Sequence, residues 1–451
     1  MNSSIIAQST PAGKGAIALV RISGDDAFSI VNHLACLQNS KHIIDQKTHT
    51  IHYGWVVDES KNKIDQVLFL VMHGPHTFTG QDTVEITCHN NPFIIQMIIE
   101  QALRCGARLA QPGEFSRRAF ENNKIDLVQA EAINELLCAQ TEAALKKSLA
   151  QLEGSLSHWI VTLEKQLIKA YAWSEASFEF LDDEGDFGVQ IKEQLQSVVK
   201  TIEQVKKTFD VQKQIREGFR IALIGSVNAG KSSLFNRLLA QERSIVTDIA
   251  GTTRDTVEAG LYRDGNHWTL IDTAGLRQTH DVIEQAGIQR SFDEAHKADI
   301  IILVIDGSRV MTQEEKSVYQ ELFEKYEHKI VVVATKCDKE QVCMHDFQNS
   351  LSLSSITGHN CDALEQALEA KITHLLQKSD SPFLINKRHY GILLTLETAI
   401  LNIITMLQSD IQYEIVSHHL REALEQLSQL TGKSVSEAAM DMVFKEFCVG
   451  K

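Results

Sequence analysis

One short segment constrains the fold of this chain more than any other, an apolar run that leads directly into a glycine-rich loop. Residues 221–224 read Ile-Ala-Leu-Ile, and residues 225–232 continue as G-x-x-x-x-G-K-S. The glycines allow successive backbone N–H groups to face a phosphate, and a following helix presents its electropositive end to the same anion. Lys231 would contact the β and γ phosphates, and Ser232 would bind Mg²⁺. The pattern predicts a strand, a phosphate-binding loop and a helix.

Two further elements of a nucleoside triphosphate site follow in the expected order. Asp272-Thr273-Ala274-Gly275 ends a second apolar run. Asp272 would help to hold the coordination shell of the metal ion, and Gly275 would contact the γ-phosphate. A polar loop lies between this segment and the first loop, and its Thr253 could reach Mg²⁺. The predicted Mg²⁺ ligands are therefore Ser232 and Thr253.

The base-recognition signal lies nearer the carboxyl end. Thr335-Lys336-Cys337-Asp338 follows the apolar run 330–333. A carboxylate at Asp338 can accept hydrogen bonds from guanine N1–H and from the exocyclic amine, a pair of donors that adenine does not offer. Ser354-Ser355 suits a backbone contact to the guanine oxygen. These features favour GTP over ATP.

The predicted nucleotide site draws on all five elements. Its predicted GTP-binding residues are Asn228, Ala229, Gly230, Lys231, Ser232, Ser233, Thr247, Asp248, Ile249, Ala250, Gly251, Thr252, Thr253, Asp272, Thr273, Ala274, Gly275, Thr335, Lys336, Asp338, Ser354 and Ser355.

The residue that would orient the attacking water is less clear from the pattern. Leu276 stands where Ras-like proteins carry a glutamine for this purpose, and an apolar side chain cannot orient water. Glu284 is one candidate, although a solvated helix carboxylate is the commoner interpretation of such a residue. Arg254 has a different candidate role, as an arginine finger in cis, although a charged loop residue is more commonly only solvated. The predicted catalytic residues are Lys231, Asp272 and Glu284.

The length of 451 residues and the changes of sequence pattern along the chain predict several domains. Residues 1–120 mix β-like runs with Gly and Pro turns, which predicts an α+β domain. Residues 121–216 and 377–451 have helical periodicity and should form one helical domain from two separate segments. Between them, residues 217–376 should form an inserted Ras-like P-loop GTPase domain with a mainly parallel sheet, because short uninterrupted apolar runs are typical of buried parallel strands. One apolar stripe is predicted to be helical core: Leu145, Leu149, Leu152, Leu156, Ile160, Leu163 and Leu167.

Composition bounds the remaining possibilities. The net charge of −15 argues against a general nucleic-acid binder, but a local basic patch or a partner could still supply RNA contacts. The eight cysteines include no CxxC pair, so neither a zinc site nor a disulfide framework is predicted. The sequence contains no secretory signal and no run of apolar residues that predicts a membrane span, which favours a cytoplasmic protein.

The motifs together resemble the MnmE (TrmE) family of tRNA-modification GTPases. The resemblance runs from residue 5 to residue 451. It is carried by the phosphate loop, Gly251-Thr-Thr-Arg-Asp255, Asp272-Thr-Ala-Gly-Leu-Arg277, Ala7-Gln-Ser-Thr-Pro-Ala-Gly13, Val20-Arg-Ile-Ser-Gly24, Phe78-Thr-Gly80, Pro112-Gly-Glu-Phe115, Lys124-Ile-Asp-Leu127, Gln129-Ala-Glu-Ala132 and Phe447-Cys-Val-Gly-Lys451.

The resemblance implies a cation mechanism. Asn228, with Thr247, Ile249 and Thr252, would coordinate K⁺ where other GTPases place an arginine finger, once two GTPase modules meet face to face. Glu284 matches the catalytic glutamate of the family, which acts on the water indirectly.

The resemblance also implies a folate site. The amino-terminal domain would form a homodimer and bind a tetrahydrofolate derivative of the 5-formyl or methylene type. Arg21, Glu85, Lys124 and Lys451 match the pocket, because Arg and Lys suit glutamyl carboxylates and a glutamate suits the pterin N–H groups. Cys448 would be a functional thiol near this pocket, or else a packed cysteine that anchors the tail.

Three departures from the family pattern bear on the site. Thr335 replaces an asparagine, which should cost one amide bond to the base and to the phosphate loop. The turn His89-Asn90-Asn91-Pro92 replaces a Gly-Gly turn, and we expect it to form because asparagine tolerates positive φ. Ile356 replaces a lysine after the two serines, which is a mild change.

The leading hypothesis is a Mg²⁺- and K⁺-dependent GTPase. With an MnmG (GidA)-type FAD protein, in a heterotetramer, it would add a carboxymethylaminomethyl group to carbon 5 of wobble uridine 34 of tRNA. One alternative is a regulatory GTPase of ribosome assembly. The other is a folate-dependent one-carbon transferase with a regulatory GTPase module.

Overall fold

The computed structural model describes most of the chain. The described residues are 3–38, 41–179, 187–240, 257–273, 284–340, 350–376, 381–408 and 412–450. Several predictions fall outside them: the loop 247–255 with its K⁺ and Mg²⁺ candidates, Ala274, Gly275, Leu276 and Lys451. The chain divides into two compact units, one of residues 1–137, 150–200 and 387–451 and the other of residues 138–149 and 201–386.

The first unit contains a mainly antiparallel sheet and a group of helices. Among the described residues its sheet has the order β3-β4-β5-β6-β2-β1-β7, in which only the pairing of β1 with β7 is parallel. The strands are β1 Ile5–Gln8, β2 Ile17–Ser23, β3 Ala35–Leu37, β4 Thr50–Val57, β5 Lys63–Met72, β6 Thr83–His89 and β7 Arg108–Leu109. The helices of this part are α1 Ala27–Leu34, α2 Pro92–Arg104 and α3 Glu114–Glu121.

Side chains of this sheet alternate between a buried and an accessible face, as the period of two in a strand requires. On β2, Val20 and Ile22 are fully buried, whereas Ile17 is 63% exposed. The buried face contributes to one core together with residues of α1 and α2, such as Val31 and Ile98. The predicted α+β domain is therefore confirmed in class.

The turn before α2 forms in a different way from our prediction. Asn91 lies at φ −119°, in the extended region, and is the N-cap of α2. Its side-chain oxygen accepts a hydrogen bond from the N–H of Phe93 at 2.9 Å, while the Asn90 amide donates to the carbonyl of Gly13 at 2.8 Å. The expectation of positive φ was wrong, because asparagine here acts as a helix cap.

The helices that precede and follow the parallel sheet in sequence come from two separate parts of the chain, residues 127–217 and 387–445. They are α4 Leu127–Cys138, α5 Glu142–Leu152, α6 Ser155–Glu179, α7 Phe187–Lys206 and α8 Phe209–Glu217, then α13 Lys387–Met406, α14 Tyr413–Thr431 and α15 Glu437–Lys445. Helices α6 and α14 pack together, and Ser174 donates a hydrogen bond to the carbonyl of Tyr413 at 3.1 Å. Among the described helices, α13 alone is long and apolar enough to cross a membrane, and it packs on α14.

The predicted apolar stripe is split between two helices. Leu145 and Leu149, on α5, are 45% and 48% exposed, so their assignment to the core was wrong. Leu156 and Leu163, on α6, are buried. The cause is Gly154, whose φ of +103° ends the helical path between α5 and α6.

The second unit contains a sheet that is parallel except at one edge. Its order among the described residues is β13-β12-β11-β8-β10-β9, with only β9 antiparallel. Its elements are β8 Phe219–Ile224, α9 Lys231–Ala240, β9 Val257–Arg263, β10 Asn266–Asp272, α10 Glu284–Lys297, β11 Ile300–Asp306, α11 Gln313–Tyr326, β12 Ile330–Thr335, β13 Leu351–Ser352 and α12 Cys361–Leu376. Every residue of β11 is buried, so the apolar runs do mark central parallel strands.

Candidate nucleotide-binding site

The phosphate loop has the geometry that its sequence predicts. Strand β8 ends at Ile224 and helix α9 begins at Lys231. Between them, Asn228 and Gly230 have φ values of +62° and +95°, a left-handed backbone that Asn and Gly adopt most readily. The loop therefore turns sharply from the carboxyl end of a buried strand into a helix N-terminus, where anions are stabilised.

The side chain of Lys231 is held by the backbone of the loop. Its ammonium group donates to the carbonyls of Gly225 and Ser226, both at 2.7 Å, and the residue is only 5% exposed. Burial lowers the pKa of Lys231 from its ordinary value, and the charge of Asp272 opposes that shift. A phosphate anion beside this ammonium would favour its charged form further.

The two described residues that were predicted beside the metal meet directly. The Ser232 hydroxyl donates to an Asp272 carboxylate oxygen at 2.8 Å, across the ends of β10 and α9. Hydroxyl and carboxylate oxygens are suitable partners for the hard Mg²⁺ ion or its bound waters. Thr273 is turned inward, where its hydroxyl donates to the carbonyl of Leu223 at 2.8 Å.

A cavity of about 480 Å³ lies beside the base motif, lined by Cys337, Asp338, Thr357, Gly358 and His359. A hydrogen bond from the Ser354 side chain lowers the pKa of the exposed Asp338 carboxyl, which keeps it ionised. The Ser354 N–H donates to the carbonyl of His359 at 3.1 Å. The buried hydroxyl oxygen of Ser355 has no partner among the described residues. A ligand with both donors and acceptors would fit this cavity.

Thr335 joins the base motif to the phosphate loop. Its hydroxyl lies 2.5 Å from the carbonyl oxygen of Ala229 and 3.0 Å from that of Ile305. We expected threonine to weaken the link to the loop, yet the hydroxyl itself makes such a link. Lys336, at φ +61°, donates to Asp306 at 2.6 Å.

The surroundings of Ser226 were not anticipated. Its N–H donates to the Tyr319 hydroxyl at 2.9 Å, and Arg309 donates to its side-chain oxygen at 3.1 Å. Arg309 also forms a two-pronged ion pair with Glu315. The only sequence signal was Thr312-x-x-Glu315, which forms a capping box at the start of α11. For the predicted catalytic Glu284, the structure describes only its place at the first position of α10.

The predicted folate residues lie in the first unit. Arg21 and Glu85 are register partners on β2 and β6 and form an ion pair at 2.7 Å. The Arg21 guanidinium lies 6.0 Å from the ring centroid of Phe78 and 5.5 Å from that of Phe115. It also donates to the carbonyl of Gly450 at 3.4 Å.

The tail and Lys124 complete this region. Gly113 donates its N–H to the carbonyl of Cys448 at 3.3 Å, and Ser9 donates to that of Gly450 at 3.0 Å. Cys448 itself is exposed, and so is Lys124, in the turn after α3. The structure thus brings the tail to the Arg21–Glu85 pair.

The parallel sheet and its strand–loop–helix unit define a P-loop nucleotide-binding domain. A family model described as "GTP-binding protein TrmE N-terminus" matches residues 4–124, and one described as "MnmE helical domain" matches residues 127–448. The chain therefore belongs to the MnmE (TrmE) family of tRNA modification GTPases.

Relatives from three bacteria match along nearly the whole chain, and each is named tRNA modification GTPase MnmE. The Aquifex aeolicus protein is 37% identical, with 100% of each chain covered. Those of Lachnoclostridium phytofermentans and Bacillus subtilis are each 35% identical, with 99% of both chains covered. The resemblance in the sequence is thus confirmed over its full length.

Proposed function

We propose that this protein hydrolyses GTP at the site between β8, β10 and β12 and thereby takes part in tRNA modification. The observation that carries the proposal is that three parts of the predicted site lie together at the carboxyl ends of these parallel strands. The Lys231 ammonium lies on the phosphate loop, Ser232 meets Asp272, and Thr335 links the base motif to the same loop. Lys231 would bind the β and γ phosphates, and Asp338 would select guanine by accepting from its N1–H and amine.

Bound metal would supply positive charge against the phosphates. Ser232 and Asp272 fit that group, since both are oxygen donors in contact with each other at 2.8 Å. Thr253 would add a further oxygen. Asp272 would orient the metal shell, and the low exposure of Lys231 and Asp272 would exclude competing water from the phosphate side.

A potassium ion is the second cation in this proposal. Asn228 would bind it through its side-chain oxygen, with Thr247, Ile249 and Thr252. Asn228 lies within the phosphate loop, between β8 and α9, with a left-handed backbone at φ +62°. Glu284 would act on the attacking water indirectly, and two GTPase modules would face each other during hydrolysis.

The chemical product would be tRNA bearing a carboxymethylaminomethyl group on carbon 5 of uridine 34. An MnmG (GidA)-type flavoprotein would be the partner in a heterotetramer, and hydrolysis would drive opening and closing of the paired GTPase modules. The names of the relatives support the link to tRNA modification. The protein would work in the cytoplasm.

A homodimer through residues 1–120 is supported by the accessible face of the first sheet. Ile51 and Tyr53 on β4 are 63% and 43% exposed, and Leu68 on β5, the register partner of Tyr53, is 40% exposed. A contiguous apolar face of this kind is typical of a protein interface. The other proposed domains are 121–216 with 377–451 and the inserted 217–376.

A tetrahydrofolate derivative would bind on the same face, at the Arg21–Glu85 pair. Arg21 would bind a carboxylate and Glu85 would accept from ring N–H groups. The ring of Phe78, which is 40% exposed and lies 6.0 Å from the guanidinium, could stack on a flat ligand ring. Lys124 and Lys451 would add charge. Cys448 would lie near the ligand as a thiol.

Three measurements test the proposal. GTP turnover in KCl should exceed turnover in NaCl at equal ionic strength, and Asn228→Ala should abolish the difference. Equal turnover in both salts would contradict the proposed role of potassium. Arg254 would then be the candidate for supplying positive charge during hydrolysis. In a strain that lacks this protein, wobble uridines should lose the modification; normal tRNA would favour the ribosome-assembly alternative. Alkylation of tRNA by the purified chain without the flavoprotein would favour the one-carbon transferase.

A further inference from the structure

Ser226, the second residue of the phosphate loop, is anchored at two atoms by residues outside the loop. Its N–H donates to the Tyr319 hydroxyl at 2.9 Å. Its side-chain oxygen accepts from an Arg309 guanidinium nitrogen at 3.1 Å. Both contacts approach from the segment that follows β11 and from helix α11. Ser226 is therefore held by Tyr319 and Arg309, which belong neither to the phosphate loop nor to α9.

The anchoring residues are themselves held firmly. Arg309 donates two parallel hydrogen bonds to the Glu315 carboxylate, one of them at 2.9 Å, a geometry that restricts both side chains. Glu315 also accepts from the N–H of Thr312 at 2.8 Å within the capping box of α11. The bond from Arg309 lowers the pKa of Glu315 to about 2, so the pair stays ionised at neutral pH. Tyr319 is only 4% exposed.

The backbone carbonyl of Ser226 in turn holds the ammonium group of Lys231, the lysine predicted to bind phosphate. The Lys231 ammonium donates to the carbonyls of Gly225 and Ser226, both at 2.7 Å. Space beside this segment is restricted as well, since a side chain at Gly225 would meet the Val304 carbonyl at 2.1 Å. A shift of Ser226 would therefore move the carbonyls that hold the ammonium.

The same cluster reaches the base motif. Asp306 accepts from Lys336 at 2.6 Å, and the Arg309 guanidinium lies 3.8 Å from the same carboxylate oxygen. Arg309 thus stands between the loop that binds phosphate and the motif that binds the base. The contact between Asp306 and Lys336 joins the carboxyl ends of β11 and β12.

We propose that Arg309, Glu315 and Tyr319 are positioning residues that hold Ser226, and through it Lys231, in the geometry that binds the phosphates of the nucleotide. This inference rests on the proposed GTP site. The three side chains act before the nucleotide arrives, because they set the loop in advance and lower the cost of ordering it on binding. Their loss should weaken binding of GTP and GDP alike while the rate at saturation changes little.

The first test uses Tyr319→Phe, which removes only the hydroxyl. We expect KM for GTP and Kd for a fluorescent GDP to rise about 5- to 10-fold, as for the loss of one hydrogen bond, with kcat within about twofold. Tyr326→Phe, on the same helix, is the matched control and should leave both constants unchanged. A fall in melting temperature with unchanged KM and Kd would show a merely structural role and overturn the proposal.

The second test is a double-mutant cycle at the Ser226 side chain. Arg309→Lys keeps the charge beside Glu315 but loses the two-pronged geometry. Its effect on Kd should largely disappear in a Ser226→Ala background, whereas the effect of Tyr319→Phe should persist there, because Tyr319 contacts the N–H. Additive effects of Arg309→Lys and Ser226→Ala would overturn the proposal. Failure of the unmodified protein to bind GTP would instead refute the underlying nucleotide site.

Discussion

The hydroxyl of Thr335 performs two tasks that depend on a single oxygen atom. It lies 2.5 Å from the Ala229 carbonyl in the phosphate loop and 3.0 Å from the Ile305 carbonyl in the neighbouring strand. The residue is 1% exposed, so water cannot replace these contacts. Loss of the hydroxyl would leave buried carbonyl oxygens with fewer donors, which costs free energy.

Thr335→Val should therefore weaken GTP binding without unfolding the protein. The side chain keeps its shape but loses the donor, and we expect Kd for GTP to rise about tenfold, or roughly 1.4 kcal/mol. Titration with a fluorescent GTP analogue measures this. Thr398→Val, whose exposed hydroxyl bonds only its own helix at 2.9 Å, is the control and should bind GTP normally. Unchanged affinity in Thr335→Val would mean that the hydroxyl does not order the loop.

Asp338 should decide which base is bound. Its carboxylate is exposed beside a cavity of about 480 Å³, with its pKa lowered by Ser354. Asp338→Asn replaces one acceptor oxygen with a donor, so guanine should bind at least tenfold more weakly while xanthine, which offers an oxygen at the position of the amine, gains affinity. Competition of GTP and XTP measures the ratio, with Asp293→Asn as the control. A preference that stays with GTP would contradict the assigned base contact.

At the scale of whole elements, the sequence best predicted the strands that are buried on both faces of their sheet. Strands β8, β10, β11 and β12 appear as mostly uninterrupted apolar runs because helices cover both faces of a parallel sheet. Strand β4 is harder to recognise in the sequence, because His52 and Gly54 interrupt its apolar residues. The contacts of Arg309 and Tyr319 with Ser226 were also missed, because no periodicity within one segment reports which side chains meet between segments.

The ion pairs between helices give a prediction at this scale. Glu131 on α4 accepts from Arg388 at 2.7 Å and contacts His389 at 2.7 Å, both at the start of α13. Burial alone would raise the pKa of Glu131, but His389 and Arg388 lower it to about 2. A carboxyl whose folded pKa is depressed contributes stability above its unfolded pKa of about 4.3, and this stability is lost as pH falls towards 2.

Glu131→Gln should accordingly remove a large and pH-dependent part of stability. We expect a loss of about 3 kcal/mol at pH 7, since the change removes the buried carboxylate that pairs with Arg388 and accepts its two hydrogen bonds. The difference from the unmodified protein should shrink between pH 4.5 and 2, as measured by urea unfolding. Glu164→Gln, which breaks a more exposed pair with Lys433 at 3.3 Å, should cost less than about 1 kcal/mol. A constant difference across that pH range would contradict the role of the charge.

For the whole molecule, the open question is what covers the accessible face of the first sheet. Period-two alternation leaves Ile51, Tyr53 and Leu68 on that face, and Tyr53 and Leu68 are register partners. Exposed apolar side chains on neighbouring strands favour association, because burial of their remaining exposed surface gains about 25 cal/mol per Å². The sequence predicted a homodimer only through its family resemblance.

A double variant, Tyr53→Glu with Leu68→Glu, should separate the two copies. Two carboxylates on each copy would be brought against the partner's apolar face, and desolvation and like-charge repulsion would oppose contact. Light scattering should give a mass near twice 50.5 kDa for the unmodified protein and near 50.5 kDa for the variant. Leu394→Glu, at a 46% exposed position on α13, is the control and should remain dimeric. If the double variant keeps the mass of the unmodified protein, then either the interface lies elsewhere or the protein is a monomer, and the starting mass decides between these two.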